Sequence, residues 1–288
     1  MGELIELLEL PLLRRAFLAA VMIGFTNGFV SAFVVLHRSP LKLGALSHAV
    51  FPGIACVVLL AGLSTVGIYF GALVAAALVG LGAVFFARRA QVGEDTVLAV
   101  LMTGAFAGGV MMLKHYDGAG GLEHWLMGNI VGMSDSDLWM SYGVGVLAVG
   151  VLAILRRPIL VSLFEADVAA TLGVRTIWLN YGLFALLILV LVTTLQAVGA
   201  ILALGFIVTP AAAVRQLVGS ARALFFWSGV TGAVGAGVGF LGANVFDQPI
   251  GAFMVFVLTL IFLGAVLVRK IREYMKRGRH EHETLDAR

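Results

Sequence analysis

Residues 177–214 read IWLNYGLFALLILVLVTTLQAVGAILALGFIVTPAAAV and carry no charged side chain, with Arg175 and Arg215 close on either side. A helix needs about 20 apolar residues to cross the hydrocarbon layer. This stretch therefore predicts two crossings, with Gln196 and Gly199 marking the turn between them. The same reading outward gives spans at 16–36, 45–63, 66–87, 97–113, 138–155, 177–196, 198–214, 223–244 and 250–268. The expected fold is an all-α polytopic membrane protein of about nine transmembrane helices, with eight as the alternative.

Composition agrees. Of 288 residues, 61% are hydrophobic and 12% are charged, against roughly 25% charged in ordinary soluble domains. A soluble core of this size could not hide so much apolar surface. Glycine, at 36 residues, suits close helix approach in lipid. The single cysteine, Cys56, excludes an intrachain disulfide framework and reads as a small buried hydrophobe. The net charge of +3 has no basic patch with interleaved aromatics, so no nucleic-acid partner is expected.

Charge placement sets the orientation. With the C-terminus in the cytoplasm and nine crossings, all of the 19 Lys and Arg residues fall inside except Arg14, Arg15 and Lys114. The N-terminus is then external. Eight crossings with an internal N-terminus would accommodate Arg14 and Arg15. The expected organisation is an amphipathic segment at 1–14, a transmembrane domain at 15–268 and a basic cytoplasmic tail at 269–288. Residues 114–137 should lie on the outer face. Residues 156–176 form a long inner loop, with Pro158 as a boundary and a short helix at 165–172 closed by Gly173.

Ionisable groups within a membrane are costly and are functional candidates by default. His48, in LGALSHAVFPG, is the sharpest: an imidazole can ligate a metal, and Pro52 four residues on can kink the span and expose carbonyls. A histidine hydrogen-bonded to a neighbouring helix is an equally good reading of that residue alone. Asp247, with Asn244 and Pro249, reads first as a turn cap and second as a metal ligand. The Gly104/Gly108 and Gly235/Gly239 pairs read as packing faces. No GxxxxGK[ST], HExxH or GxSxG motif occurs, so the chain is not expected to be an enzyme or to bind ATP by a phosphate loop.

Six motifs stand in one order: Leu43–Gly53 (LGALSHAVFPG), Glu94-Asp95, Leu126–Leu138 (LMGNIVGMSDSDL), Glu165–Val174, Gln196–Gly199 with Thr209–Ala212, and Asp247–Gly251 (DQPIG). Together they resemble the membrane permease subunits of bacterial ABC importers for zinc, manganese and iron, over roughly residues 15–268. The resemblance implies a multi-pass subunit of the bacterial cytoplasmic (inner) membrane that acts as a conduit for a divalent metal ion and holds no cofactor. It implies a homodimer, or a heterodimer with a related permease, and an extracytoplasmic metal-binding protein. It also implies a cytosolic ABC ATPase docked at 159–175, with Glu165, Asp167, Ala170 and Gly173 as the coupling residues. His48 is the implied metal ligand and Asp247 a candidate second one. The family carries an Asp four residues before the His, where this chain has Gly44. Loss of that oxygen donor leans the expectation toward zinc, which imidazole suits. A gradient-driven secondary transporter or channel is the competing reading.

Overall fold

The computed structural model describes residues 10–37, 47–62, 64–114, 128–164, 171, 175–200 and 202–286. These form nine helices: α1 (Pro11–Leu36), α2 (Phe51–Ala61), α3 (Thr65–Ala90), α4 (Glu94–Leu113), α5 (Asp135–Phe164), α6 (Thr176–Val198), α7 (Ala203–Arg215), α8 (Ala221–Val245) and α9 (Ile250–Asp286). Seven are long and apolar enough to cross a membrane; the two shorter apolar segments are Ser47–Ala61 and Ala203–Arg215. Both short segments fall where full spans are predicted from sequence.

Local chemistry fixes the helix ends. The Ser64 and Ser220 hydroxyls accept the backbone N–H groups of Gly67 and Ala223, capping α3 and α8. Pro11 opens α1, where its missing N–H has no helical partner to lose. Gly199 ends α6 with φ 95°, a left-handed conformation that only glycine adopts without strain. The turn expected at Gln196 and Gly199 lies there. Pro158 does not end a helix as expected: α5 runs through it to Phe164. One missing hydrogen bond is tolerable in a long helix held by its neighbours. α9 continues as helix through the basic stretch to Asp286.

Helices consecutive in the chain alternate in direction. α1 and α8 run antiparallel, with Gly24 against Gly232 and Gly28 against Ser228. α2 and α3 do the same through Gly53 and Gly71, α3 and α4 through Gly82 and Leu101, and α8 and α9 through Gly239 and Met254. α1, α7, α8 and α9 form one packed group and α2, α3 and α4 another; α5 and α6 lie between them. The end of the bundle with Thr65 and Asp135 is the outer one by the positive-inside rule. Arg88, Arg89, Arg156, Arg157, Arg215 and Arg269 lie at the opposite ends of their helices. Arg15, an exception to the rule, pairs with Asp135 across the outer ends of α1 and α5.

Gly235 packs on Leu258 and Gly239 on Met254, as expected for a packing face. Gly104 and Gly108 differ: a Cβ there would meet nothing within 4 Å. That face of α4 is turned away from the other described helices.

Polar groups stitch the apolar interior. Pro210 interrupts the hydrogen-bond ladder of α7. The Ser31 hydroxyl from α1 accepts the Ala211 N–H at 3.1 Å and donates to the Val208 carbonyl at 3.0 Å. Ser31→Ala strands that buried N–H, and a stranded donor costs about 1–3 kcal/mol. The expected result is a lower melting temperature in detergent, with Ser31→Thr closer to wild type. The Asn27 side chain donates to the Ile23 carbonyl and accepts the Thr194 hydroxyl at 2.8 Å, tying α1 to α6.

Candidate metal pathway

His48 lies in a helical turn, Ser47–Ala49, just ahead of α2. Pro52 has no N–H to return to the His48 carbonyl, and the helical run Ser47–Ala61 continues through Val50, whose backbone is helical. Ser47 is fully buried and His48 half-buried. The imidazole meets the Phe106 ring of α4 edge-on, with centroids 4.9 Å apart. Its Nδ1 is buried and has no hydrogen-bond partner.

Helix register gives the depth of His48. Gly53 sits against Gly71, and Gly71 is about 9 Å along α3 from Thr65 at 1.5 Å per residue. His48 is five residues deeper, about 7 Å more. On the other side, its neighbour Phe106 is about 18 Å along α4 from the inner end at Glu94. Two independent helices therefore put the imidazole near the middle of a layer about 30 Å thick.

Asp247 is elsewhere. It occupies the exposed turn between α8 and α9, at the outer end, with φ 50°. α8 and α9 pack on α1 and α7, whereas α2 packs on α3 and α4. Asp247 and His48 therefore lie in different packed groups of the chain, and Asp247 sits in a turn. Gln248 N–H bonds to the Ala243 carbonyl at 2.8 Å to close that turn. Glu165, Asp167, Ala170, Gly173 and Gly44 lie outside the described residues. Among the described residues no group of three or more His, Cys, Asp or Glu side chains could hold a metal ion.

One group escaped the sequence reading. Asp137 was read only as part of an outer segment, but it organises the outer ends of three helices. Its carboxylate accepts the Thr65 hydroxyl at 2.9 Å, the Ser134 hydroxyl at 2.6 Å and the Gln196 amide N–H at 3.4 Å. The legible signal was Ser134 three residues before an acidic residue at the start of an apolar run, a helix-start pattern. The Thr65 and Gln196 partners left no sequence trace.

Comparison with known proteins places the chain. It is 32% identical over 266 residues to "Manganese transport system membrane protein MntC" of Listeria innocua, covering 91% of this chain and 92% of that protein. It is 28% identical over 262 residues to "Chelated iron transport system membrane protein YfeD" of Yersinia pestis, covering 91% and 87%. Among solved structures, "PsaBC from Streptococcus pneumoniae in complex with Fab" superimposes with a TM-score of 0.86 at 28% identity, over 92% of this chain and 94% of that one. The model of the ABC 3 transport family matches residues 9–269, nearly the whole chain, and the protein belongs to that family.

Proposed function

We propose that this chain is the membrane-spanning subunit of an ATP-driven importer of divalent metal ions, and that it forms the translocation pathway. The observation that carries the reading is the unpartnered Nδ1 of His48, held near mid-bilayer one turn before Pro52. A neutral imidazole there can take the place of part of a metal's hydration shell. The protein's part is coordination and orientation, not bond chemistry.

Two copies of the chain, or one copy with a related permease, would complete the donor set that one protomer lacks. The outward-turned Gly104/Gly108 face of α4 supports such pairing, since small residues let helices approach. ATP hydrolysis would come from a cytosolic ATPase docked at the inner loops, and metal from an extracytoplasmic binding protein. The relatives named for manganese and iron weigh against the zinc expectation drawn from Gly44, and we read manganese or iron as the cargo. Inner-membrane location follows from the same reading.

Uptake by vesicles holding this chain and its ATPase, with manganese, iron and zinc in competition, tests it. Uptake should require ATP and survive collapse of the ion gradient. The chain purified alone should hydrolyse no ATP. ATP-independent uptake driven by a gradient would make it a secondary transporter instead.

A further inference from the structure

The outer ends of α3, α5 and α6 converge on a set of oxygen atoms that the fold alone does not satisfy. Asp137 is its centre, held by Thr65, Ser134 and Gln196. One helical turn below Thr65 on α3 is Tyr69, and one turn below Asp137 on α5 is Ser141. The two hydroxyls are neighbours, and Asp137 is close enough to act on Tyr69. Tyr69 is 2% exposed, Ser141 3% and Gln196 6%. The Tyr69 and Ser141 hydroxyls lie side by side and can satisfy one another, whereas the Gln196 Oε1 is buried with no hydrogen-bond partner.

A buried amide oxygen without a partner, beside one carboxylate and a pair of buried hydroxyls, leaves oxygen-donor capacity that the fold does not use. Native proteins satisfy such atoms with protein, water or an ion. The Gln196 amide orientation is fixed by Asp137: its N–H side must face the carboxylate, so its carbonyl oxygen remains free for a ligand. The Asn129 N–H also bonds to the Gln196 backbone carbonyl at 3.1 Å, holding the outer loop at 128–133 on this end of α6. Gly128, at φ 74°, fits there because a Cβ would come within 2.4 Å of Val198 and Gly199.

Every available donor is oxygen, and only one is charged. Carboxylate, hydroxyl and amide oxygens suit hard cations such as Mn2+, Mg2+ and Ca2+, and lack the nitrogen and sulfur that favour zinc. One charge and several neutral oxygens make a site that binds and then lets go, as a conduction path requires. We infer that Asp137, Gln196, Tyr69, Ser141 and Thr65 form an outer station for a hard divalent cation, about 10 to 16 Å above the level of His48 by helix rise. The inference rests on the metal-transport reading of the chain. It adds a second site, of different donor chemistry, on the extracytoplasmic side of the first.

Mn2+ binding to the purified permease with its ATPase subunit, followed by loss of the free-ion spin-resonance signal, tests this. Asp137→Asn should weaken one class of Mn2+ site at least tenfold. Gln196→Leu and the double variant Tyr69→Phe with Ser141→Ala should do the same while leaving the Ser134–Asp137 helix cap intact, which keeps the test open if Asp137→Asn fails to fold. Excess Mg2+ or Ca2+ should empty this class, and equimolar zinc should not. His48→Ala should leave it in place. Unchanged Mn2+ stoichiometry and affinity in folded Gln196→Leu and Tyr69→Phe/Ser141→Ala proteins would mean that water alone fills the cluster, and would overturn the inference. If His48→Ala transports normally, the pathway reading fails while the outer Mn2+ count still stands to be read.

Discussion

His48→Ala lowers divalent-metal uptake at least about tenfold, and the protein still folds. The size follows from what the ring does. Even partners one shell removed from a metal are worth about 10- to 100-fold in affinity or activity, so a direct donor should be worth no less. The folding effect is small because the imidazole is half-buried and its Nδ1 holds no hydrogen bond that alanine would break. Its main packing partner is the Phe106 ring. Vesicle uptake beside a melting curve separates the two effects. Wild-type uptake from a well-folded His48→Ala protein would remove the imidazole from the path and leave the chain as a scaffold.

Gly28→Leu should disrupt the fold itself. A Cβ at Gly28 would stand 2.0 Å from the Ser228 carbonyl oxygen, and one at Gly232 would stand 2.1 Å from the Gly24 carbonyl oxygen. Both obstacles are backbone, so no side chain can swing away. α1 and α8 must separate along their length, which loosens the Phe29–Phe225 and Phe17–Phe240 ring contacts. Overpacking usually costs about 1–3 kcal/mol, and a clash of backbone with leucine belongs at or above the top of that range. The measurement is melting temperature and folded yield in detergent. Gly104→Ala is the built-in contrast: nothing lies within 4 Å, so the isolated protomer should keep or slightly gain stability, by about 0.5–1 kcal/mol from helix propensity. If both glycines respond alike, tight α1–α8 packing is not what holds the bundle.

Much of the fold was legible because lipid makes secondary structure a local matter. Gln196 and Gly199 marked the real end of α6, and the apolar runs matched all nine helices. Pro158 misled because a proline in a long membrane helix removes one hydrogen bond without ending the helix. Gly104 and Gly108 misled because spacing shows that a face is small, not which neighbour it meets. His48 was legible as a rare ionisable group, but its depth was not. Asp137 was visible only as a helix start, since Thr65 and Gln196 reach it from 72 and 59 residues away.

The sequence by itself determined that this chain crosses a membrane many times and which end of each helix carries the positive charge. Both depend on short-range chemistry: each segment must satisfy its own backbone in hydrocarbon, and basic residues beside a span decide its direction. Only the tertiary structure decided which polar groups meet. Helices in lipid choose partners by the shape of their small-residue surfaces, and that choice joins residues far apart in the chain. It set His48 near mid-bilayer against Phe106, gathered Asp137, Gln196, Tyr69 and Ser141 above it, and left Asp247 in an outer turn.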